Sequence, residues 1–348
     1  MQVVQIVKKY GPFGGMEEYV YQLAKELSKL GFQVIVLCEK SSVPSSADVR
    51  IHAFGTHRKP HWISHYRFSN KVNHWLSANL NGPRVIHSHE RQCLHNITTF
   101  HTTPYKLGKS RITKWLSPRN FFYEKLERRE LFGTQVRAVV PVSNLLGTFI
   151  KDKYSVSDSI ICPAIHPAVK LSKPDASIKL KNQNEINTIG FIGKEWERKG
   201  LPKVISIWRA LRKKIPNLKL RIAGVEFVSI SHLFKENDSD LEILGFIEKK
   251  EPFYESIDLL IHPAKFEAFG MVVSEALFMQ VPVLCSSECG ASEILETSHG
   301  ISLPEKCGLA QWVAEANRIL EAPINVAYER NWESVAAEYS GIYAKLLN

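Results

Sequence analysis

Twice along the chain a largely apolar run leads through a glycine-containing turn into a helical pattern. VVQIV (3–7) leads into the loop GPFGG (11–15) and a helix over about 16–30; NTIGFIG (187–193) leads into KEWERKG (194–200) and a helix over about 201–213. An apolar strand, a glycine turn and a helix form the βα unit of a parallel sheet, whose strands must be covered on both faces. The same alternation continues in both halves. Strands are expected at 32–38, 50–54, 84–87, 96–100 and 136–142, with helices at 64–80, 117–131 and 144–154. The second set has strands at 218–224, 241–246, 257–263 and 281–285 and a helix at 272–279. A chain of 348 residues suits two such cores. The polar, aperiodic stretch 166–186 is the expected linker, between a first domain over 1–165 and a second over 187–325. The tail, 326–348, reads as a helix carrying Trp332, Tyr339, Ile342 and Tyr343, expected to return to the first domain. The predicted fold is α/β, two doubly wound domains facing across a cleft, with ligands outside the carboxyl ends of the strands.

Charge divides the two halves. Residues 1–165 carry 23 Lys/Arg against 11 Asp/Glu, and residues 166–348 carry 22 against 24. From Arg58 to Arg119 eleven basic residues face one acid, Glu90. Such a field points to an anionic partner: a phosphorylated glycan, an anionic lipid surface or nucleic acid. No apolar run reaches the roughly 18–20 residues that span a bilayer, and 1–7 is too short for a signal peptide, so a cytoplasmic location is expected. The six cysteines are scattered without paired CxxC spacing and read as reduced thiols.

Several polar clusters fall at strand ends. The loop 11–15 lacks the spacing of the dinucleotide and P-loop fingerprints, so a bare tight turn competes with phosphate approach. In GKEWERKG (193–200), Lys194, Arg198 and Lys199 crowd a helix N-terminus, where positive charge is unfavourable unless an anion binds, which favours a diphosphate clamp over a solvated turn. In KFEAFGMVVSEAL (265–277), Glu267 precedes a helix and Glu275 lies about one turn inside it. The amides of Phe269, Gly270, Met271 and Val272 could meet an anion or sugar hydroxyls. His87, His89, His95 and His101 gather at the strand ends of the first domain. A metal is the minority reading of that group, and a neutral His101 could hydrogen-bond a sugar hydroxyl or a phosphate. Asp238-Ser-Asp240 reads as a solvated loop.

In this order the motifs resemble those of the retaining glycosyltransferases of family 4, which have the glycosyltransferase-B fold of two Rossmann-like domains. The resemblance spans nearly the whole chain. GGME (14–17) is similar to the acceptor-side glycine loop, TFHTTP (99–104) to the strand end with the donor-contacting histidine, and VPVSN (140–144) to the motif closing the first domain. GKEWERKG is similar to the diphosphate turn, and DLLIHPAKFEAFGMVVSEAL (258–277) to the E-x7-E signature, the most specific of the set. Within the family, KKYGPFGGMEEYV (8–20), TKWLSPRNFFYEKLERRELF (113–132) and CGASEI (289–294) resemble the glucosyltransferases of lipopolysaccharide core assembly. Departures are Lys194 where arginine is frequent, Ala164 where glycine is common, and a single glycine, Gly290, where two are usual.

The resemblance implies hexose transfer, with retention, from a nucleotide diphosphate sugar (a UDP-sugar first) to an anionic glycan such as the lipopolysaccharide core. It implies no cofactor and no metal. Catalytic roles fall on His101, Glu267 and Lys199. Substrate binding falls on Gly14 and Gly15 for the acceptor side, Lys194 and Arg198 for the diphosphate, and Glu275 for the ribose. Gly245, Phe246 and Ile247 would meet the base, and Phe269, Gly270, Met271 and Val272 the sugar. The basic, aromatic segment 105–129, with Tyr105, Trp115, Phe121, Phe122 and Tyr123, would meet the inner membrane from its cytoplasmic face. An epimerase of the same fold and a non-catalytic glycan- or nucleic-acid-binding protein are the competing classes.

Overall fold

The computed structural model describes residues 1–56, 61–79, 82, 84–92, 94–102, 118–172, 187–321, 326 and 328–347. They divide into two compact units. Unit 1 comprises Met1–Pro167 with Asn331–Asn348, and unit 2 comprises Ala168–Arg330.

Unit 1 is built on six parallel strands: β1 (Gln2–Ile6), β3 (Gln33–Cys38), β5 (Val49–Ala53), β6 (Arg84–Ser88), β7 (Ile97–Phe100) and β8 (Ala138–Pro141), with the short pair β2 (Lys9–Tyr10) and β4 (Lys40–Ser41) alongside. Their order is β5-β3-β1-β6-β7-β8. The central strands are buried on both faces, and for that reason they appear in the sequence as mostly apolar runs, broken in β1 by the buried Gln5. Helix Gly15–Lys29 buries Tyr19, Val20, Leu23 and Leu27. Helix His61–Asn79 places Phe68, Val72 and Leu76, at i, i+4 and i+8, against Val4, Ile6, Leu37 and Ile86. Helix Asn144–Tyr154 is capped by Ser143, whose side chain accepts from Leu146 N at 3.1 Å. Helix Trp332–Leu347 belongs to this unit and buries Tyr339 and Tyr343.

Unit 2 repeats the plan with β9 (Thr188–Ile192), β10 (Lys219–Ala223), β11 (Leu241–Ile243), β12 (Leu259–His262), β13 (Val283–Ser286) and β14 (Gly300–Leu303), ordered β11-β10-β9-β12-β13-β14. Trp208 and Trp312, both fully buried, fill its core from helices Leu201–Leu211 and Leu309–Glu321. The short strand β14 and helix Leu309–Glu321 were not expected from the sequence. GISL is half-polar on a sheet edge, and the buried positions of the helix are separated by charges.

In both sheets the chain starts on a central strand, works outward on one side, and returns to the other. The order therefore reverses between β1 and β6 in unit 1 and between β9 and β12 in unit 2. Two neighbouring connections leave in opposite directions there, which opens a crevice outside the strand ends.

One reading is corrected. The Asp238–Asp240 turn is not simply solvated. Arg209 grips both oxygens of Asp238 at 3.0 and 2.5 Å, and Arg212 meets Asp240 at 2.8 Å, so the turn is tied to the helix Leu201–Leu211 region. The described cysteines Cys38, Cys162, Cys285, Cys289 and Cys307 are unpaired; Cys93 lies outside the described residues.

Candidate active site

The switch point of unit 2 gathers the turn after β9 and the loop after β12. Gly200 adopts φ +83 and ends the turn; a Cβ there would stand 2.3 Å from Pro263 O, so only glycine lets the two segments approach this closely. Lys265 N donates to Arg198 O at 2.9 Å and fixes the register of the two loops. Across this junction Arg198 Nη1 donates to Glu267 Oε2 at 2.9 Å and to the Phe266 carbonyl, while its Nη2 meets Glu195. Lys199 Nζ lies 3.9 Å from the same Glu267 oxygen, and its side chain crosses Gly193, where a Cβ would fall 2.5 Å from Lys199 Cδ. Glu267 is held from behind: its N–H donates to Glu288 O and its carbonyl accepts from Gly290 N, both at 3.0 Å. A carboxylate in contact with two cations on a rigid loop is thus presented at the switch point.

The loop then enters helix Met271–Phe278 through Gly270, at φ +98 and ψ 65, with room for no side chain because Cys289 Sγ would lie 2.5 Å from a Cβ. The amides of Met271 and Val272 are in the first turn, where no intrahelical carbonyl reaches them. One turn further, Glu275 is buried and both of its oxygens are engaged: Tyr254 OH donates to Oε2 at 2.7 Å and Lys250 Nζ to Oε1 at 2.6 Å. Burial, and next the Glu275 charge, hold the Tyr254 phenol well above its ordinary range, so it remains a donor.

Lys194 is the third cation of the turn. It is exposed, with Nζ 5.4 Å from the centroid of the Phe246 ring. Phe246 is 58% exposed, unusual for a phenylalanine, and follows Gly245 at φ +64; Ile247 is half-buried. The β9 and β10 ends are drawn together below it, Gly193 N donating to Ala223 O at 3.0 Å and Gly224 N to Gly245 O at 2.7 Å. An exposed aromatic face beside a cation offers a stacking surface.

In unit 1 the loop before helix Gly15–Lys29 is exposed. Gly11 is its sterically demanding residue: φ is +126 and a Cβ would collide with Ser42 Oγ at 2.1 Å. Around Gly15 there is open space, and Gly14 is extended with the Glu17 carboxylate nearby. His101 follows β7 and is half-buried; its Nε2 lies 2.8 Å from His89 Nδ1, and burial pushes its pKa down to about 3. Glu90, beyond β6, accepts from Lys8 N at 3.1 Å, and burial raises it to about 7. His95 bonds the Glu130 carbonyl at 2.9 Å, on another part of the sheet from His101. Among the described residues no group of three His, Cys, Asp or Glu is placed to hold a metal ion.

The structure brings Glu267 together with Arg198 and Lys199, two of the three cations of the turn, and sets the third, Lys194, beside Phe246. Lys250 and Tyr254, the partners of Glu275, were missed; they lie on and beside helix Glu251–Glu255, just before the signature and outside its motif. Of the membrane segment, residues 105–117 lie outside the described residues. In helix Pro118–Leu131 Phe121, Lys125 and Arg128 are exposed, whereas Arg129 stacks on Tyr66 at 4.8 Å.

Two parallel doubly wound units, each with its polar cluster at the switch point, define the glycosyltransferase-B fold. The family models agree: "Glycosyltransferase Family 4" matches residues 13–169 and "Glycosyl transferases group 1" matches 172–337. The chain belongs to the glycosyltransferases of this fold. It is 25% identical over 215 residues to an uncharacterized glycosyltransferase of Haemophilus influenzae (59% of this chain, 58% of that protein). It is 26% identical over 184 residues to the lipopolysaccharide glucosyltransferase WaaG of Escherichia coli (49% of each). The matched stretch thus spans about half the length of these curated relatives. The crystal structure of WaaG superposes with TM-score 0.77 at 17% identity, covering 97% of this chain and 95% of that one. Anabaena HepE, solved in complex with UDP-glucose, has TM-score 0.65 at 16% identity, covering 100% and 96%.

Proposed function

We propose that this chain transfers a hexose from a UDP-sugar to a hydroxyl of an anionic glycan of the lipopolysaccharide-core type, with retention and without a metal. The observation that carries the reading is the Arg198–Glu267–Lys199 cluster at the unit 2 switch point. Arg198 has three acceptors and serves mainly to fix the loop, while Lys199, at 3.9 Å from Glu267, is the cation better able to turn to a diphosphate. Together they would take the charge that develops on the leaving diphosphate, the role a divalent ion fills elsewhere. Glu267 then orients the hydroxyls of the sugar, aided by the amides of Met271 and Val272. The ribose would bond Glu275, displacing Lys250 from Oε1 while Tyr254 keeps Oε2. The base would stack on Phe246. In unit 1, His101 and the Gly14–Gly15 loop are assigned to substrate binding.

The acceptor hydroxyl attacks the anomeric carbon on the face from which the diphosphate departs. The C–O bond to phosphate breaks, the new glycosidic bond forms, and the acceptor proton passes to the departing phosphate oxygen. The HepE complex with UDP-glucose and the likeness to WaaG support the donor and acceptor classes. In the test, labelled UDP-hexoses are offered with core lipopolysaccharide to the wild type and to Glu267→Ala. Labelled product with retained configuration, lost in the variant, is expected; turnover of the donor without acceptor would point to an epimerase instead.

We also assign a membrane-facing role, on the cytoplasmic side, to the basic segment. No helix among the described residues is long and apolar enough to cross a membrane. Each basic residue near an anionic surface contributes about 1 kcal/mol. Reversing Lys125 and Arg128 should therefore weaken binding to phosphatidylserine vesicles by about tenfold or more. Unchanged binding would remove this helix from the surface.

A further inference from the structure

A chain of side-chain hydrogen bonds runs through unit 1 from His101 to the C-terminal helix. His101 Nε2 is 2.8 Å from His89 Nδ1, and His89 Nε2 is 2.6 Å from Gln5 Oε1. Gln5 Nε2 donates to Tyr343 OH at 3.2 Å, and that hydroxyl is 2.6 Å from His87 Nδ1. His87 Nε2 then meets Thr99 Oγ1 at 2.7 Å, Thr99 meets Tyr339 OH at 2.6 Å, and Tyr339 meets Tyr19 OH at 2.9 Å. Every member is buried except His101, which is half-buried at the outer end.

The polarity of this chain follows from Gln5. An amide oxygen only accepts, so His89 Nε2 carries the proton. Burial keeps His87, His89 and His101 neutral, and each ring therefore holds one proton. His89 Nδ1 is then a bare acceptor, and His101 must donate to it through Nε2–H. On the other side the amide nitrogen donates to Tyr343, Tyr343 to His87 Nδ1, and His87 Nε2–H to Thr99. Thr99 passes the same sense on to Tyr339 and Tyr19. The nitrogen left over at the outer end, His101 Nδ1, is an acceptor. If the Gln5 amide were turned round, exchanging its oxygen and nitrogen, the bonds from Gln5 through His89 to His101 would reverse, and His101 would present a donor instead.

We infer that Gln5 and Tyr343 are positioning residues for the transfer reaction: through His89 they hold His101 in its Nε2–H tautomer, so that Nδ1 accepts a hydrogen bond from a hydroxyl of the donor sugar. The reaction part of this inference rests on the placement of His101 at the sugar; the tautomer part does not. A hydroxyl accepted by His101 keeps its own oxygen available to the amides of other groups, whereas a donor at this position would compete with them.

The experiment is long-range ¹H–¹⁵N correlation spectroscopy of the full-length protein with ¹⁵N-labelled histidine, read without substrate and paired with transfer assays. The wild type should show His101 protonated at Nε2. Gln5→Leu strands the His89 Nε2–H without an acceptor, so the His89 proton should move to Nδ1 and that of His101 to Nδ1 as well. Tyr343→Phe, close to isosteric, removes the acceptor of the amide and should leave His101 in both tautomers. Where the tautomer moves, kcat/KM should fall by about tenfold or more, the value of one misdirected buried hydrogen bond. A wild-type His101 protonated at Nδ1, or a tautomer unchanged in both variants, would overturn the inference whatever the donor. A tautomer that moves while transfer stays normal would overturn the role in the reaction and take His101 away from the sugar.

Discussion

Glu267 and Glu275 come from one short signature, yet their surroundings divide their work. Glu267 is in contact with Arg198 and Lys199, and Glu275 is enclosed by Tyr254 and Lys250. Glu267→Ala removes the carboxylate without creating a large void, since the residue is partly exposed. If Glu267 orients the reacting sugar as proposed, its loss should lower kcat by about a hundredfold or more, with the fold intact by circular dichroism. A drop of less than about tenfold would deny the residue its role. Gly270 makes a second residue-scale case. Alanine there must take a left-handed conformation, at about 1–2 kcal/mol, and crowd Cys289 Sγ. Gly270→Ala should therefore destabilise unit 2 by about 2–4 kcal/mol in urea unfolding, and near-neutral behaviour would contradict the closeness of the loop to Cys289.

At the scale of elements, helix ends are where chemistry and stability meet. The helix entered through Gly270 keeps its first-turn amides unpaired by side-chain caps, whereas helix Asn144–Tyr154 is closed by Ser143. Ser143→Ala should lower the stability of unit 1 by about 1 kcal/mol, measured by chemical denaturation, and Ser143→Thr should recover most of it. Elements with a two-sided burial requirement were legible beforehand, because β1, β8, β9 and β12 are mostly apolar, with few polar residues such as Gln5 and His262. The edge strand β14 and helix Leu309–Glu321 were not, since each is apolar on one side only and β14 is four residues long. The glycines were legible as turns but not in their ranking: Gly11 is the one sterically required in the first loop, while Gly14 faces only the end of the flexible Glu17 side chain and Gly15 has open space.

Over the whole molecule, buried ionisable groups set the response to pH. His87, His89, His95 and His101 have proton affinities lowered by burial, His95 to about 4 and His101 to about 3. The unfolded chain binds protons at these sites below about 6.5 and the native state does not, so they withdraw stability as pH falls. Glu90 and Glu130 are raised by burial to about 7 and about 8. They favour the folded state below about 4.5, and that contribution is lost as pH rises toward 8. Each group weighs up to about 1.4 kcal/mol per pH unit, and the four histidines outnumber the two carboxyls. The melting temperature of unit 1 should fall between pH 6.5 and 4.5, and fall again more gently from 6.5 toward 8. Calorimetry at these three values checks both slopes; a melting temperature that rises on acidification would contradict the burial of the histidines.

The strand order came from the structure, whereas the sequence by itself determined the two parallel-sheet units and the identity of the Glu267–Glu275 signature with its basic turn. These are local properties: burial on two faces forces apolar runs, and strand-end loops carry the polar groups left over. Tertiary structure alone decided which partner each polar group meets. The sequence placed Lys194 with Arg198 and Lys199, and the structure adds Phe246 as its neighbour. Lys250 and Tyr254 reach Glu275 from another helix, and Tyr343 reaches Gln5 and His87 from the far end of the chain. A hydrogen bond depends on atoms within about 3 Å, and separation along the chain carries no information about that distance once the fold has closed.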